Sequence, residues 1–431
     1  LPVSEYREDI LEAIDENQVV LITAETGCGK TTQIPQFILD HMLLNGSGAT
    51  CNIICTQPRR ISAIGVAERV AAERDESIGG MIGYSIQLES KRSNATKLLF
   101  CTTGVLLRMI ENDPAVSNIT HIIVDEVHER SLDSDFLLIV LKRLMKQRRD
   151  LKIILMSATM NAELFSDYFN DCETLYIPGR TFPIESFYLE DVIEATGYVC
   201  TESNAPKQSS NKRQQGNQKS QPQMEDKSEK VFDAKKYSER TLKALSNMDE
   251  KAINYELIVK LMQHIVKKNK EDTGSILIFL PGIAEITQLY NMLTSDDTFK
   301  DGNKFSLLPL HSSLSTQSQQ RVFEVPKPGC RKIIISTNIA ETSITIDDCT
   351  VVIDTGKMKQ TQYSAQSRMS SLVECWVSRA NALQRRGRAG RVRPGKAYNL
   401  YTKFRFETRF KEQQLPEIFR VSLESLCLRI K

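Results

Sequence analysis

The sequence predicts an α/β fold with two doubly wound lobes, each holding a mostly parallel sheet between layers of helices. Three observations support this fold class. Short apolar, β-branched runs recur along the chain, helix-like sequence follows each run, and a polar stretch from Thr201 to Lys230 divides the series in two. The 431 residues exceed the size of one ordinary hydrophobic core, so two or three domains are expected.

The strand candidates are continuous apolar segments, which are typical of strands buried on both faces of a parallel sheet. In the first half they are Val19–Ala24, Asn52–Thr56, Lys97–Cys101, His121–Asp125 and Lys152–Ser157. In the second half they are Ser275–Leu280, Phe305–Leu310, Lys332–Thr337, Val351–Asp354 and Lys396–Tyr401. A helix is predicted from Tyr255, because the apolar residues of "YELIVKLMQHIVKK" recur at helical spacing.

The polar stretch is rich in Gln, Ser, Asn and Lys and almost free of aliphatic residues. It cannot bury enough apolar surface to offset the entropy of ordering, so a disordered insert between the lobes is predicted. The predicted boundaries are 1–190 for the first lobe, 191–254 for a linker containing the insert, 255–415 for the second lobe and 416–431 for the start of a further domain.

Composition restricts the class of protein. Hydrophobic residues make up 41% and charged residues 26%, and the net charge of +2 means that any basic surface must arise from local clustering. No apolar run approaches the roughly 18 residues needed to span a bilayer, so no membrane partner is expected. The ten cysteines form no C-x-x-C pair, which favours buried, reduced thiols over zinc binding. The chain starts without methionine, and we interpret it as a piece of a longer protein.

The segment "AETGCGKTT" nearly matches the phosphate-binding loop G-x-x-x-x-G-K-[ST], with Ala24 in place of the first glycine. Strand, glycine-rich loop and helix follow in the order that such a loop requires. The backbone N–H groups of residues 27–31 would face the phosphates, Lys30 would reach the β- and γ-phosphates, and Thr31 would bind Mg²⁺. A methyl group at Ala24 is tolerated if that residue keeps a negative φ, because close approach depends on the two later glycines.

A pair of carboxylates follows the strand candidate in "HIIVDEVHER". Asp125 would hold Mg²⁺, and Glu126 is placed to polarise the attacking water. Taken alone, these carboxylates would also fit an exposed strand end. Together with the phosphate loop upstream, they indicate the second half of a nucleotide site.

The stretch "QRRGRAGR" supplies positive charge from the second half of the chain. Arg388 and Arg391 are three residues apart and share a face if the segment is helical. Taken alone, such a run more often forms a solvated or RNA-facing patch. With the other motifs, it predicts that one lobe holds the phosphates and the other inserts the arginines.

These segments also occur in the order of a known family. The series is "AETGCGKT", "TQPRR", "CTTG", "DEVH", "SAT", "LIFLPG", "STNIAETSITI" and "QRRGRAGR". It resembles the helicase core of DEAH-box/RHA-type (DExH) RNA helicases of superfamily 2, over nearly the whole chain outside the insert. The resemblance implies two tandem RecA-like lobes and the start of a winged-helix domain from about Pro416. Val127 replaces the Ala of D-E-A-H, which removes no ligand.

The resemblance implies roles for individual residues. For catalysis it implies Lys30, Glu126, Gln384, Arg388 and Arg391, with the glutamine orienting water and the arginines acting as fingers. For nucleotide binding it implies Gly27, Cys28, Gly29, Lys30, Thr31, Thr32, Arg69, Phe323 and Asp347, with Arg69 and Phe323 sandwiching the base. For RNA backbone contacts it implies Arg59, Arg60, Thr103 and Thr337; for coupling to lobe movement, Ser157 and Thr159; and for Mg²⁺, Thr31 and Asp125.

The resemblance further implies RNA-stimulated hydrolysis of ATP, and of other NTPs, with Mg²⁺, coupled to 3′ to 5′ movement on RNA. The expected partners are single-stranded RNA or RNA–protein complexes and an activating protein. A monomer in the cytoplasm is expected, with the nucleus as the alternative. Three rival functions stay open: an ATP-gated RNA clamp or scaffold, a DNA helicase and, more distantly, a small-molecule P-loop kinase, which would not need the arginine-bearing lobe.

Overall fold

The computed structural model describes residues 1–25, 27–158, 162–179, 182–200, 236–268, 272–342 and 346–430. The insert predicted from Thr201 to Lys230 lies outside these ranges, as does Thr159. The described residues form two parallel-dominated sheets with helices on their faces, which confirms the predicted α/β class with two lobes.

The first lobe is an eight-stranded sheet in the order β4-β3-β5-β2-β6-β7-β1-β8. Its strands are β1 (Val19–Ala24), β2 (Ile53–Gln57), β3 (Ile82–Ile86), β4 (Glu89–Lys91), β5 (Leu98–Thr102), β6 (His121–Val124), β7 (Lys152–Ser157) and β8 (Glu173–Ile177). Its helices are α1 (Arg7–Glu16), α2 (Lys30–Leu44), α3 (Arg60–Glu73), α4 (Thr103–Asn112), α5 (Leu132–Leu144) and α6 (Ala162–Tyr168). The pair β3–β4 is antiparallel, and the other neighbours are parallel.

The continuous apolar runs arise because the sheet is covered on both faces. Along β1, Val20 and Ile22 enter the core beneath α2 and α3, whereas Val19 and Leu21 enter the core beneath α4 and α5. The five strands predicted in this half are present. Three further strands were not predicted. Strands β4 and β8 are mostly exposed, so their sequences carry no continuous apolar signal. Strand β3 is mostly buried, but glycine and serine interrupt the apolar run of its sequence, "IGYSI".

The second lobe is a six-stranded parallel sheet in the order β11-β12-β10-β13-β16-β9, with a separate hairpin, β14–β15. Its strands are β9 (Ile184–Phe187), β10 (Ser275–Phe279), β11 (Phe305–Leu310), β12 (Arg331–Ser336), β13 (Cys349–Asp354), β14 (Lys357–Ser364), β15 (Met369–Trp376) and β16 (Gly395–Asn399). Its helices are α7 (Leu189–Thr196), α8 (Glu239–Asn247), α9 (Tyr255–Lys268), α10 (Ile283–Ser295), α11 (Thr316–Gln320), α12 (Arg379–Arg386) and α13 (Lys403–Thr408).

The second sheet includes chain that precedes residue 200. Strand β9 pairs in parallel with β16, and Val192 of α7 and Leu245 of α8 are buried in the same core as α9. The sequence boundary at residue 190 assigns β9 to the first lobe, whereas the structure uses it as the edge strand of the second sheet. Its sequence, "IESF", is mostly half buried, so no apolar run marks it as a sheet strand.

The last described segment returns to the first lobe. After a 3-10 helix at Glu417–Phe419, α14 (Glu424–Ile430) places Leu426 in the core shared by α4 and α5. The two lobes are therefore joined by this segment as well as by their facing surfaces. Within the ranges given above, no helix is both long and apolar enough to cross a lipid bilayer.

Candidate active site

The first-lobe residues predicted to act lie at one edge of the eight-stranded sheet. The phosphate loop follows β1, Arg59 and Arg60 follow β2, Thr103 follows β5, Asp125 follows β6, and Ser157 ends β7. These strands are parallel, so their carboxyl ends meet at the edge where open α/β sheets bind ligands. Strand topology thus brings together motifs that are far apart along the chain.

The phosphate loop leaves β1 and enters α2 at Lys30. Gly27 and Gly29 adopt φ values of 87° and 97°, which glycine tolerates because it has no Cβ. Ala24 is the last residue of β1 and pairs with Ile177, so the position of the usual first glycine has extended geometry and accepts a methyl group.

Two further loop residues support the loop from within the lobe. Cys28 is 1% exposed, and burial raises the pKa of its thiol, so the side chain packs as an apolar group. The hydroxyl of Thr32 donates a hydrogen bond to the carbonyl of Gly29 at 3.3 Å. The structure therefore places both residues where they hold the loop in shape.

Thr31 and Asp125 form the candidate magnesium site. The Thr31 hydroxyl donates to Asp125 Oδ2 at 2.8 Å, and Gln57 Nε2 donates to the same oxygen at 2.9 Å. Burial, and next the charge of Glu126, raise the pKa of Asp125. Among the described residues no group of three or more His, Cys, Asp or Glu is placed to hold a metal ion. The pair would therefore depend on phosphate and water oxygens, as Mg²⁺ sites commonly do.

Glu126 lies between a lysine and a histidine. Its Oε1 is 3.5 Å from Lys30 Nζ, and its Oε2 is 3.3 Å from His128 Nε2. Burial favours the neutral acid, but nearby positive charge, that of Lys30 first, outweighs it and lowers the pKa of this carboxyl to about 2. Glu126 is therefore ionised at neutral pH, the state in which it can accept a hydrogen from water.

His128 connects this carboxylate to the end of β7. The backbone N–H of Ala158 donates to His128 Nδ1 at 3.1 Å. The neighbouring Ser157 is fully buried, and its hydroxyl donates to the carbonyl of Ala158 at 2.8 Å. Since Nδ1 accepts, the neutral imidazole carries its hydrogen on Nε2, which faces Glu126. The segment containing Ser157 is thus linked physically to the candidate catalytic carboxylate.

The second lobe contributes Arg388, which is buried, and Arg391, which is half buried. Arg388 is 5% exposed and donates from Nη2 to the carbonyl oxygen of Glu341. Burial, and next the charge of Arg391, lower the pKa of Arg388, while Glu126 opposes this effect. Burial also lowers the pKa of Arg391, against the charges of Glu126 and Asp347. Both guanidinium groups thus lie within electrostatic range of the first-lobe carboxylate, and the predicted Gln384 lies half buried on α12.

Sequence analysis missed the residues that hold this arginine segment. Arg385 is fully buried, with Nε 2.8 Å from Glu341 Oε2 and Nη1 2.7 Å from Asp354 Oδ1. Its guanidinium lies 4.8 Å from the ring centroid of Phe279. Two features of the sequence could have indicated this pairing: Asp354 ends a strand candidate, and "QRRGRAGR" contains more arginines than the predicted roles use.

The residues predicted to bind the base lie on both sides of the interlobe cleft. The partly exposed ring of Phe323 stands over Gly65 of α3, with its Cζ 3.7 Å from where a Cβ at that glycine would lie. Arg69, one turn further along α3, pairs with Glu73 Oε1 at 2.7 Å. This hydrogen bond raises the pKa of Arg69, and the charge of Asp347 adds to the effect. The structure therefore brings these residues to one region of the cleft.

The residues predicted to contact RNA are divided between surface and interior. Arg59 Nη2 is 3.4 Å from both Glu129 Oε2 and Thr342 Oγ1, and Thr342 also donates to Glu129. This contact joins the two lobes and includes Glu129, which sequence analysis did not single out. Arg60 is exposed at the start of α3.

The two threonines of the predicted RNA set occupy matching positions in the two lobes. Thr103 is 7% exposed and follows β5, and Thr337 is 6% exposed and follows β12. Each therefore lies at the carboxyl edge of its own sheet, with most of its side chain covered by the lobe.

The charges at the cleft fit a polyphosphate. Lys30, Arg388 and Arg391 supply three positive charges beside the two carboxylates Asp125 and Glu126; Arg391 is half buried and the other four side chains are buried. A buried excess of positive charge is unfavourable unless an anion matches it. The nucleotide phosphates predicted from the sequence would supply that anion.

The fold and the site define a class of protein: tandem RecA-like lobes with a phosphate loop and paired carboxylates on one wall of a cleft and arginines on the other. A family model described as "DEAD/DEAH box helicase" matches residues 4–166, and one described as "Helicase conserved C-terminal domain" matches residues 255–393. The chain belongs to this helicase family, as a core of the DExH type.

Several curated relatives match the whole chain. "Putative ATP-dependent RNA helicase DHX57" of Homo sapiens is 51% identical over 464 residues, which cover 100% of this chain and 34% of the relative. "DExH-box ATP-dependent RNA helicase DExH1" of Arabidopsis thaliana is 47% identical over 438 residues, covering 100% and 44%. "ATP-dependent DNA/RNA helicase DHX36" of Bos taurus is 46% identical over 444 residues, covering 100% and 43%. The chain therefore spans less than half the length of these relatives.

Proposed function

We propose that this chain is the catalytic core of an RNA-stimulated NTP hydrolase that uses ATP to remodel RNA. The observation that carries the proposal is the approach of Arg388 and Arg391 from the second lobe to Lys30 and Glu126 of the first. The relatives described above as ATP-dependent RNA helicases support the same activity.

Each group in the cleft has a task in this proposal. Lys30 and the loop amides would bind the phosphates, and Thr31 and Asp125 would hold Mg²⁺, which would supply positive charge to the phosphate oxygens. The ionised Glu126 orients the attacking water and accepts its proton. Arg388 and Arg391 stabilise the negative charge that develops at the departing phosphate. Gln384 is proposed to position the same water.

Movement of the lobes couples this chemistry to RNA. Because the arginines come from the second lobe, the reactive arrangement requires a closed cleft, and loss of the terminal phosphate removes one reason for closure. The link from Glu126 through His128 to Ala158 supports a coupling role for the segment at Ser157. Direction of movement, 3′ to 5′, is proposed from the family resemblance.

RNA is proposed to lie across the carboxyl edges of the two sheets. Arg59, Arg60, Thr103 and Thr337 would contact its backbone, and such contacts read no base sequence. The bond between Arg59 and Glu129 supports competition between this carboxylate and RNA phosphates.

The placement of Phe323 and Arg69 supports stacking on the base rather than hydrogen-bond readout of its edge. Stacking is tolerant of base identity, so we expect comparable hydrolysis of ATP and GTP. Steady-state rates with each nucleotide at saturation test this, and a marked preference for ATP would contradict it.

Substitution of the central pair tests the function directly. Lys30→Ala and Glu126→Gln are each expected to abolish RNA-stimulated ATP hydrolysis, measured as phosphate release with and without single-stranded RNA. Lys146→Ala and Glu163→Gln, exposed positions in the same lobe, are matched controls that should keep wild-type rates. A wild-type rate in either of the first two variants would refute the assignment of the site.

Two alternative functions share these residues. An ATP-gated RNA clamp would fail to displace a strand when the full-length protein is assayed on a duplex. One relative is named an "ATP-dependent DNA/RNA helicase", which makes a DNA helicase the second alternative. Stronger competition from DNA than from matched RNA would favour it. By itself, this 431-residue chain is expected to hydrolyse ATP but to unwind duplexes poorly.

A further inference from the structure

The loop that carries Glu126 has an uncommon backbone conformation at both ends. Glu126 has φ 54° and ψ 38°, Arg130 has φ 50° and ψ 42°, and a 3-10 turn lies between them. Residues other than glycine rarely adopt this left-handed backbone region, because their Cβ approaches the following carbonyl oxygen. Contacts from the surrounding structure must therefore hold both ends of the loop.

The two ends are held by different parts of the chain. At the entrance, the N–H of Glu126 donates to Asp125 Oδ1 at 2.8 Å. At the exit, the guanidinium of Arg130 forms hydrogen bonds of 2.7 and 3.1 Å with the two carboxylate oxygens of Asp135. The backbone of the exit has a further partner, which comes from the last segment of the chain.

Glu417 forms two hydrogen bonds with the backbone at the exit of the loop. Its N–H donates to the carbonyl of Arg130 at 3.1 Å, and its Oε2 accepts from the N–H of Leu132 at 2.9 Å. The two residues of the second bond are 285 positions apart in the sequence. This glutamate therefore brackets the residue pair that joins the loop to the next helix.

The second bond caps a helix from outside. Leu132 is the first residue of α5, where the backbone N–H has no partner within the helix. The local cap residue, Ser131, accepts from Ser134 instead. A carboxylate at this end also interacts favourably with the positive end of the helix dipole. Glu417 thus completes the N-terminus of α5 and fixes where that helix begins.

The same short segment is attached to the second lobe. Arg420 Nη1 donates to the carbonyl of Thr361 at 3.0 Å, and the N–H of Tyr363 donates to the carbonyl of Arg420 at 2.8 Å. Both partners belong to β14 of the β14–β15 hairpin. The segment from Pro416 to Arg420 therefore ties this hairpin to the exit of the loop in the first lobe.

We propose that Glu417 is a positioning residue for Glu126, and that residues 416–420 transmit displacement of the β14–β15 hairpin to the catalytic loop. The inference rests on the proposed hydrolytic function. Without the carboxylate, the N–H of Leu132 loses its partner, and the exit keeps only the backbone bond from Glu417 to Arg130 and the Arg130–Asp135 pair. The turn that aims Glu126 at Lys30 is then less firmly held. Glu417 bonds to the loop exit and to the first residue of α5, so in this proposal it acts only through the geometry of the loop.

Two variants and two measurements test the proposal on the whole chain. Glu417→Ala removes the carboxylate, and Glu417→Gln keeps an oxygen that can accept from Leu132 but removes the charge. Glu407→Ala, which removes the charge of an exposed residue on α13, is the matched control. The measurements are amide hydrogen exchange at residues 126–132 without nucleotide, and steady-state ATP hydrolysis with RNA.

We expect Glu417→Ala to speed exchange at Leu132 about tenfold and to lower kcat about tenfold. The KM for ATP should change less than about twofold, because Lys30 and Thr31 are untouched. Glu417→Gln should fall between this variant and the wild type, and Glu407→Ala should match the wild type in both measurements.

Several results would overturn the proposal. Unchanged exchange at Leu132 would show that the cap is not formed, and an unchanged kcat beside faster exchange would show that the cap does not position Glu126. An equal fall of kcat in Glu407→Ala would show that the effect is not specific to Glu417. A Glu417→Gln variant that loses circular dichroism signal as well as kcat would indicate a general loss of folding. A wild-type chain without ATPase activity would instead refute the proposed function, which the exchange measurement does not require.

Discussion

Replacing Arg385 by alanine tests whether the second lobe depends on its buried ion pairs. Arg385 is fully buried, and its partners Glu341 and Asp354 are 3% and 1% exposed. The substitution would leave two carboxylates in the interior without the guanidinium that both face at less than 3 Å. Gly356 N–H would still donate to Asp354 at 2.9 Å, so the loss would be partly offset.

The expected magnitude follows from this geometry. Removing one member of a buried ion pair costs about 3–5 kcal/mol, because the other member remains buried and uncompensated. If the free energy of unfolding of the lobe falls by about 2 kcal/mol per molar of urea, the urea concentration at the unfolding midpoint should fall by about 2 M. Arg386 lies next in the sequence and is exposed, so Arg386→Ala should change stability by less than about 0.5 kcal/mol.

The chain contains its own reporter for the measurement. Its single tryptophan, Trp376, lies in the second lobe, with its ring 5.6 Å from that of Phe410 and 4.0 Å from Lys357 Nζ. Tryptophan fluorescence during urea titration therefore follows unfolding of this lobe and not of the first. Coinciding midpoints for Arg385→Ala and Arg386→Ala would refute the view that the ion pairs support the arginine segment.

Two further predictions concern acid stability and packing. Burial, and next the charge of Lys152, lower the pKa of His121 from 6.5 to about 4. Between these two pKa values the unfolded chain binds more protons at His121 than the folded chain does. The contribution of the neutral His121 to stability is therefore present above the unfolded pKa and is lost as pH falls through the folded pKa. The urea midpoint by circular dichroism should fall between pH of about 7.5 and about 5, and less so in His121→Gln; equal falls would contradict the assignment. A separate prediction concerns Gly395, where a Cβ would collide with the backbone carbonyl of Ala389, a residue between Arg388 and Arg391. Gly395→Ala should therefore lower kcat about tenfold or more, whereas Gly302→Ala, which has open space around it, should not. Similar rates in the two variants would exclude this packing constraint.

The sequence predicted the interior of each sheet better than its edges. Continuous apolar runs marked β1, β2, β5, β6 and β7 because residues on both faces of these strands are buried. Strand β9 carries no such run, since it lies at an edge and is mostly half buried. The boundary at residue 190 followed the apolar pattern, whereas sheet pairing with β16 is decided by backbone hydrogen bonds that leave no composition signal.

The site was predictable where chemistry requires a residue type at a fixed place. Lys30, Thr31, Asp125 and Glu126 could be proposed from the sequence because phosphate and Mg²⁺ binding constrain both residue and position, and their roles stay predictions. Gln57, Glu129 and Glu417 were not found, because each acts on a group distant in sequence through a hydrogen bond that another polar residue could also make. Such supporting residues become visible only when the fold shows which backbone groups need a partner.

The distribution of charge gives a physical reason for coupling between nucleotide binding and lobe closure. Within the first lobe, Lys30 already faces Glu126 at 3.5 Å and Asp125 lies next to it, so the nucleotide side has no excess of positive charge of its own. The second lobe then adds Arg388 and Arg391, whose pKa values are lowered by burial because their charged forms are costly there. We infer that an anion between the lobes stabilises the closed cleft more than an open one, since only the closed cleft buries both arginines near it. By the reciprocity of linked equilibria, any contact that favours closure should also raise affinity for the nucleotide.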